Sequence, residues 1–223
     1  MSIRPVYIPD KNEQEFVKSE DINFTWHPGF AVTQKQKSIL SLHENIEKEF
    51  GINKILEIST KSLENLGIKA SAFNLTLEWG GIKSTVESFY QGSKVFKHGG
   101  PYVDLYKKES IFSKKDERIR NSGELIEFSF FDESWGINDN FYSWLYLMAL
   151  NQNKDISDKL IEYDAFTDIE FNPKKSFNCQ AYSAALFVAA VNMNLDISNI
   201  RTSENFKEIF PKKKLKNFQK ELF

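Results

Sequence analysis

Two segments that are apolar on nearly all sides constrain the fold of this chain more than any other feature. One lies within "NDNFYSWLYLMALNQN" (138–153), and the other is "AYSAALFVAAV" (181–191). A helix without a polar face has to be covered by other elements, so both segments predict buried helices. The run at 181–191 is the longest strongly apolar one, and it has about half the length that spans a bilayer.

Strand-like and helix-like segments alternate irregularly around these two helices. The strand predictions are an edge strand at "RPVYIP" (4–9), where proline brackets the segment, and strands at 54–59, 71–79 and 125–131. The helix predictions are 33–50, with Ile39, Leu42 and Ile46 at helical spacing and Gly51 as the stop, and a shorter amphipathic helix at 155–163. The segment 166–178 is expected to be a loop or a short strand. No regular strand–helix alternation is present, so we expect a helix-rich α+β single domain with a few short strands.

Charge and composition exclude several classes of protein. With 29 basic and 31 acidic residues the formal net charge is -2, which argues against wholesale wrapping of nucleic acid or adhesion to an acidic membrane. The net charge does not exclude a local patch of basic residues. The single cysteine, Cys179, excludes an internal disulfide, and the three histidines lack metal-ligand spacing. The first residues contain no continuous apolar stretch of the signal-peptide type, so we expect a cytoplasmic protein.

The familiar phosphate-binding and nucleophile motifs are absent. We find no GxxxxGK[ST], GxGxxG, HExxH or GxSxG sequence. An enzymatic interpretation is therefore narrowed to carboxylate, lysine and amide chemistry.

The segment "TVESFYQGSKVF" (85–96) is the first candidate site. If it is one helix, Glu87, Gln91 and Lys94 share a narrow stripe, Tyr90 flanks it, and aromatic residues lie opposite. Geometry alone favours an ordinary surface helix with a solvated polar face. Against that, Gly92 is a poor helix former, and it favours close approach of a ligand or a neighbouring segment.

Two residues and two clusters of basic residues have both a structural and a functional interpretation. Asn178 precedes the apolar helix and is either its N-cap or part of a seat for phosphate at the helix start. Asp168 is either a turn former or a carboxylate that binds a hydroxyl. Lysines and arginines at 107–120, and a second cluster at 212–216, are either solvated surface or contacts to a phosphate backbone.

Taken together and in this order, these segments resemble the NADAR family of N-glycosidases related to YbiA. The matching pieces are "EISTKS" (57–62), "SAFNL" (71–75), "TVESFYQGSKVF", and Asp168 with Asn178, so the resemblance covers roughly 54–192. The extended N-terminus is similar to NADAR antitoxins associated with DarT-type toxins, which attach ADP-ribose to guanine bases of DNA. The expected organisation is an N-terminal extension (1–53) packed on a NADAR-like catalytic domain (54–200), followed by a basic tail (201–223).

The resemblance implies a hydrolase that removes ADP-ribose from guanine in DNA and needs neither a cofactor nor a metal. The implied catalytic residues are Glu87, as principal acid and base, and Lys94, as nucleophile or electrostatic stabiliser. The implied substrate-binding residues are Lys61, Phe73, Asn74, Tyr90, Gln91, Asp168 and Asn178. The implied partners are ADP-ribosylated DNA or ADP-ribose, together with the cognate toxin, and no membrane.

Two departures from the family pattern stand out. Ser88 occupies the place of the family's histidine, and "DIEF" (168–171) replaces the usual Trp-Gly after the late aspartate. Trp79, Trp135 and Trp144 therefore all stay open as base-stacking residues, each with a core-packing alternative. A non-catalytic antitoxin or ADP-ribose-binding module, and an N-glycosidase acting on a small phosphorylated aminopyrimidine riboside, are the alternative functions.

Overall fold

A computed structural model describes residues 2–172 and 179–210 of the chain. Its strands and helices are interspersed, which confirms the α+β class. The strands are β1 (Ser2–Pro9), β2 (Val17–Phe24), β3 (Ile55–Glu57), β4 (Thr76–Trp79), β5 (Ile82–Thr85), β6 (Lys94–Phe96), β7 (Leu125–Phe130), β8 (Glu133–Gly136) and β9 (Ala165–Thr167). The helices are α1 (Val32–Phe50), α2 (Asn65–Ala70), α3 (Val86–Gly92), α4 (Ser110–Lys115), α5 (Glu117–Asn121), α6 (Phe141–Gln152), α7 (Lys154–Leu160), α8 (Gln180–Asn192) and α9 (Ser203–Ile209), with 3₁₀ turns at Val103–Lys107 and Ile197–Asn199.

The described residues group into two compact units that are interleaved in sequence. The first unit contains residues 2–71, 155–172 and 179–195, and the second contains residues 72–154 and 196–210. The boundaries expected at residues 53 and 200 stay a prediction. In the described part of the chain, no helix combines the length and the apolar character needed to cross a membrane.

The first unit is built on a four-stranded sheet with the order β2-β1-β9-β3. Strands β1 and β2 pair antiparallel along their full length, whereas β3 and β9 pair parallel. The prediction of an edge strand at 4–9 was wrong, because β1 also pairs with β9 through Tyr7 and Phe166. That contact falls between Pro5 and Pro9, so neither proline has to donate a hydrogen bond there.

The periodicity of α1 determines how it joins the core of the first unit. Ile39, Leu42 and Ile46 are fully buried and belong to the cluster that includes residues of β1 and β2. The helix ends at Gly51, whose φ of 68° lies in the left-handed region and whose N–H donates to the Glu47 carbonyl over 2.8 Å. The predicted helix and its stop are confirmed.

The two apolar segments form the buried helices that the sequence predicts. All of the residues from Phe141 to Leu150 in α6 are buried in the second unit, and those from Gln180 to Ala190 in α8 are buried in the first. Around α6, Trp135 and Trp144 are fully buried with ring centroids 5.0 Å apart, and the centroid of Trp79 lies 5.5 Å from that of Trp144. Trp135 and Trp144 therefore pack in the core, whereas Trp79 is half-buried and base stacking by Trp79 stays open.

The segment 85–96 is not one helix, which corrects the prediction. After the hairpin of β4 and β5, α3 ends at Gly92, and Lys94 already pairs with Phe128 in the sheet of order β6-β7-β8. Gly92 lies where the chain passes a neighbour: a Cβ there would sit 2.6 Å from two ring carbons of Tyr106. The close approach expected at Gly92 is thus to a neighbouring segment. Phe89 and Phe96 are buried, as anchors should be.

Candidate active site

The start of α3 places Glu87 in a buried position. Thr85 Oγ1 caps the helix by accepting from the Ser88 backbone N–H over 3.2 Å. The Glu87 backbone N–H donates to the Ala72 carbonyl over 2.9 Å, which ties the first helical turn to the segment before β4. The Glu87 residue is only 5% exposed, so its carboxylate is held within the second unit.

A chain of side-chain hydrogen bonds joins the three polar residues of this segment. Lys94 Nζ donates to Gln91 Oε1 over 2.8 Å, and Gln91 Nε2 donates to Glu87 Oε1 over 2.9 Å. An ammonium has only donors and a carboxylate only acceptors, so this orientation of the Gln91 amide serves both partners. Gln91 thus connects Glu87 to Lys94.

The Lys94 ammonium lies in an environment that favours loss of its proton. The Tyr90 ring opposes that loss, because Nζ sits 4.7 Å from its centroid and an aromatic face attracts a cation. Burial outweighs this contact. Burial lowers the pKa of Lys94 to about 8; the Glu87 carboxylate opposes this shift and the Lys114 ammonium adds to it. A lysine with such a pKa carries an appreciable fraction of free amine near neutral pH, which a nucleophilic role requires.

Lys114, from α4, completes the surroundings of Glu87. Its Nζ lies 3.7 Å from Glu87 Oε1 and 4.9 Å from the centroid of the Phe73 ring. From the sequence, Lys114 is expected to be a solvated cation or a contact to a phosphate backbone, because nothing in local spacing links α4 to α3. Glu87 Oε1 thus has two donor neighbours, whereas Oε2 accepts no hydrogen bond from the residues that the structure describes.

The aromatic and amide residues predicted to bind substrate lie at different depths. Tyr90 is half-buried, with its ring centroid 5.3 Å from that of Phe128 and 5.1 Å from that of Tyr142. Phe73 is half-buried too, and Asn74 follows it as an exposed residue of the turn before β4. The substrate contacts expected of Tyr90, Phe73, Asn74 and Gln91 stay predictions.

The first unit brings Lys61 and Asp168 to one edge of its sheet. Both residues follow the carboxyl ends of the parallel strands β3 and β9, where ligands of α/β sheets commonly bind. Lys61 lies in a turn in which its backbone N–H donates to Ser59 Oγ over 3.2 Å. Their contacts to phosphate or sugar stay predictions, and Asn178 lies outside the described residues.

Asp168 takes the turn-forming role that the sequence left open. Its Oδ1 accepts from the backbone N–H groups of Glu170 and Phe171 over 3.0 and 3.1 Å. Burial, and then the nearby Glu57 carboxylate, raise the pKa of Asp168 to about 8. Glu57 is buried as well, and burial raises its pKa.

Glu57 and His43 are polar residues of this edge that the sequence analysis missed. Glu57 Oε1 accepts from the Ile169 N–H over 2.8 Å, and its Oε2 accepts from Thr167 Oγ1 over 2.7 Å. Because the Thr167 hydroxyl donates its proton to Glu57, it accepts from His43 Nε2, 2.8 Å away. Burial lowers the pKa of His43 to about 4, so the ring is neutral at pH 7. Together these contacts fix the backbone on both sides of Asp168.

Ser88, which departs from the family pattern, is part of a hydroxyl network. It is fully buried, and its Oγ donates to the Lys108 carbonyl over 2.9 Å. The hydroxyls of Thr85 and Ser113 donate to Ser88 Oγ over 3.0 and 3.2 Å. A serine at this position therefore joins α3 to α4 within the second unit.

Comparison with models of protein families shows which family the chain belongs to. The model of the DarT1-associated NADAR antitoxin family matches residues 2–220, nearly the whole chain. The chain belongs to that family. In this NADAR antitoxin the extended N-terminus falls inside the match, as the resemblance predicted. A search of curated proteins finds no match.

Proposed function

We propose that this NADAR antitoxin is a glycohydrolase that removes ADP-ribose from guanine bases of DNA and thereby reverses the action of a DarT1-type toxin. The observation that carries the proposal is the hydrogen-bonded chain from Lys94 through Gln91 to Glu87. It supplies a carboxylate and an amine of lowered pKa within one site, and these two groups can serve as proton-transfer group and nucleophile in the cleavage of an exocyclic N-glycosidic bond. The family description supports the antitoxin role. A cytoplasmic location stays a prediction.

In the proposed reaction, Glu87 transfers protons and Lys94 carries the sugar. Glu87 takes up the proton that Lys94 gives up and passes it to the ring oxygen of the ribose. The ring opens, and the guanine nitrogen forms an iminium with the anomeric carbon. The free Lys94 amine adds to that carbon, and guanine leaves with its proton restored through Glu87. Water then hydrolyses the lysine imine to ADP-ribose and free Lys94. The net reaction consumes one water, and no redox step occurs.

Among the residues that the structure describes, none donates a hydrogen bond to Glu87 Oε2, and this supports the assignment of Glu87 as the proton-transfer group. Oε1 is occupied by the Gln91 amide and the Lys114 ammonium, so we assign the proton exchange to Oε2. Phe73 and Tyr90, beside the two cations, supply aromatic surface on which a base or ribose can pack. Lys61 and Asp168 are proposed to contact phosphate and sugar.

The test is to incubate an oligonucleotide carrying one ADP-ribosylated guanine with a small fraction of an equivalent of protein. The wild type should release ADP-ribose over many turnovers, and Glu87→Gln should abolish release while the variant stays folded. The matched control is Glu78→Gln, an exposed glutamate of β4, which should retain full activity. Normal turnover by Glu87→Gln would remove Glu87 from the mechanism, and an intact adduct with the wild type would refute the hydrolase proposal.

A further inference from the structure

Lys114 differs from Lys115, the other cation of α4, in where its head group lies. The side chain of Lys114 is 55% exposed, whereas that of Glu87, which its ammonium meets, is 6% exposed. Lys115, the next residue, is exposed and forms no ion pair with any described residue. The stem of Lys114 thus runs from solvent toward a buried carboxylate, and the Phe73 ring lies beside its charged end.

Hydroxyl contacts hold α4 in the position that makes this reach possible. Ser110 Oγ lies 2.9 Å from the Phe73 carbonyl oxygen and 2.7 Å from Thr85 Oγ1. One helical turn later, Ser113 Oγ lies 3.2 Å from Ser88 Oγ and 3.1 Å from the Leu105 carbonyl oxygen. Both serines are buried, so the inward face of this short helix is docked by polar contacts on the α3 segment.

We propose that Lys114 is a positioning residue of the Glu87 site: its ammonium holds Glu87 Oε1 against the Gln91 amide and leaves Oε2 turned to the substrate. This inference rests on the proposed function. Without Lys114, Glu87 Oε1 loses its ion-pair partner, and only the Gln91 amide then restrains the tilt of the carboxylate. Displacement of a catalytic group by a fraction of an ångström is enough to slow a reaction severalfold or more.

The same ammonium also acts on Lys94 through space. The charged groups facing Lys94 are Glu87, which favours the protonated amine, and Lys114, which disfavours it. Removing the charge of Lys114 therefore raises the pKa of Lys94 and leaves less free amine at neutral pH. A residue that serves only to pack α4 would not produce this change.

The experiment compares Lys114→Met with Lys115→Met, which removes the same charge from the same helix. Methionine keeps an apolar stem against Phe73. Lys114→Met should lower kcat on the ADP-ribosylated oligonucleotide by about tenfold with little change in KM. In the profile of activity against pH, the limb that reflects deprotonation of Lys94 should move to higher pH. Lys114→Arg should restore most of the activity, and Lys115→Met should stay within about twofold of the wild type. Equal losses of kcat in Lys114→Met and Lys115→Met would overturn the inference. So would an activity–pH profile of Lys114→Met that is not shifted from that of the wild type.

A second readout separates this inference from the proposed function. The pKa of Lys94 is measured by NMR after ¹³C-methylation of the lysines, with Lys94→Arg used to assign its signal. A rise in Lys114→Met but not in Lys115→Met supports the arrangement irrespective of hydrolysis. If the wild type shows this behaviour but releases no ADP-ribose, the proposed function fails alone. If ADP-ribose is released and the Lys94 pKa is the same in both variants, the role of Lys114 fails alone.

Discussion

Replacing Gln91 by leucine should destabilise the protein more than the small change in side-chain volume suggests. The side-chain amide of Gln91 forms hydrogen bonds with a charged group at each of its two ends, Lys94 and Glu87. Gln91→Leu removes the bond from Lys94 Nζ and the bond to Glu87 Oε1. Hydrogen bonds to charged partners contribute about 1.5–3 kcal/mol each. Lys94 is half-buried and can regain water, and Glu87 keeps Lys114, so we expect a loss of about 2–3 kcal/mol in the free energy of unfolding rather than the sum.

The measurement is chemical and thermal unfolding of Gln91→Leu beside Gln152→Leu. Gln152 is an exposed glutamine with two hydrogen bonds of similar length, both to the backbone of Glu78. Its loss should cost about 1 kcal/mol or less, because its partners are uncharged and open to water. Gln91→Leu should lower Tm by about 5–10 °C, given about 2–4 °C per kcal/mol for a chain of this size. If the two variants lose equal stability, the buried chain does not hold Glu87 and Lys94 as described.

Two other predictions concern Gly92 and Asp168. Gly92→Ala should destabilise the fold by about 1–3 kcal/mol, because the added Cβ would lie 2.6 Å from carbons of the Tyr106 ring. This loss should exceed the helix preference of alanine over glycine. A variant that is more stable than the wild type in urea unfolding would contradict the packing described. The pKa of Asp168 is raised to about 8 in the folded state, so the folded protein binds the extra proton and the Asp168 contribution to stability is lost as pH rises from about 4 to 8. Unfolding of wild type and Asp168→Asn measured from pH 5 to pH 8 should therefore show the stability advantage of the wild type shrinking with pH, and a constant difference would show that Asp168 does not titrate in this way.

Local sequence patterns were sufficient for the elements whose environment they describe directly. The spacing of Ile39, Leu42 and Ile46 identifies the buried face of α1, and Gly51 marks its end, because both signals lie within the helix itself. The apolar character of α6 and α8 likewise predicts burial without knowledge of what covers them. The candidate acid, Glu87, was found from its own segment and from the family resemblance.

Contacts distant in sequence decided what the local patterns left undetermined. The segment 85–96 fits a helix throughout, and what ends the helix is the pairing of Lys94 with Phe128 and the passage of Tyr106 over Gly92. The ion pair between Lys114 and Glu87 also depends on a contact distant in sequence, because it forms only when α4 packs beside α3. Short-range spacing contains no information about such neighbours.

The products of the reaction show whether this protein is the proposed glycohydrolase. An oligonucleotide with a single ADP-ribosylated guanine is treated with substoichiometric protein, and both DNA and released nucleotide are analysed by mass spectrometry. The account predicts unmodified guanine in the DNA and intact ADP-ribose in solution, in amounts well above one per protein. Release of a nucleoside monophosphate with ribose phosphate left on the base, or product limited to one equivalent of protein, would contradict it.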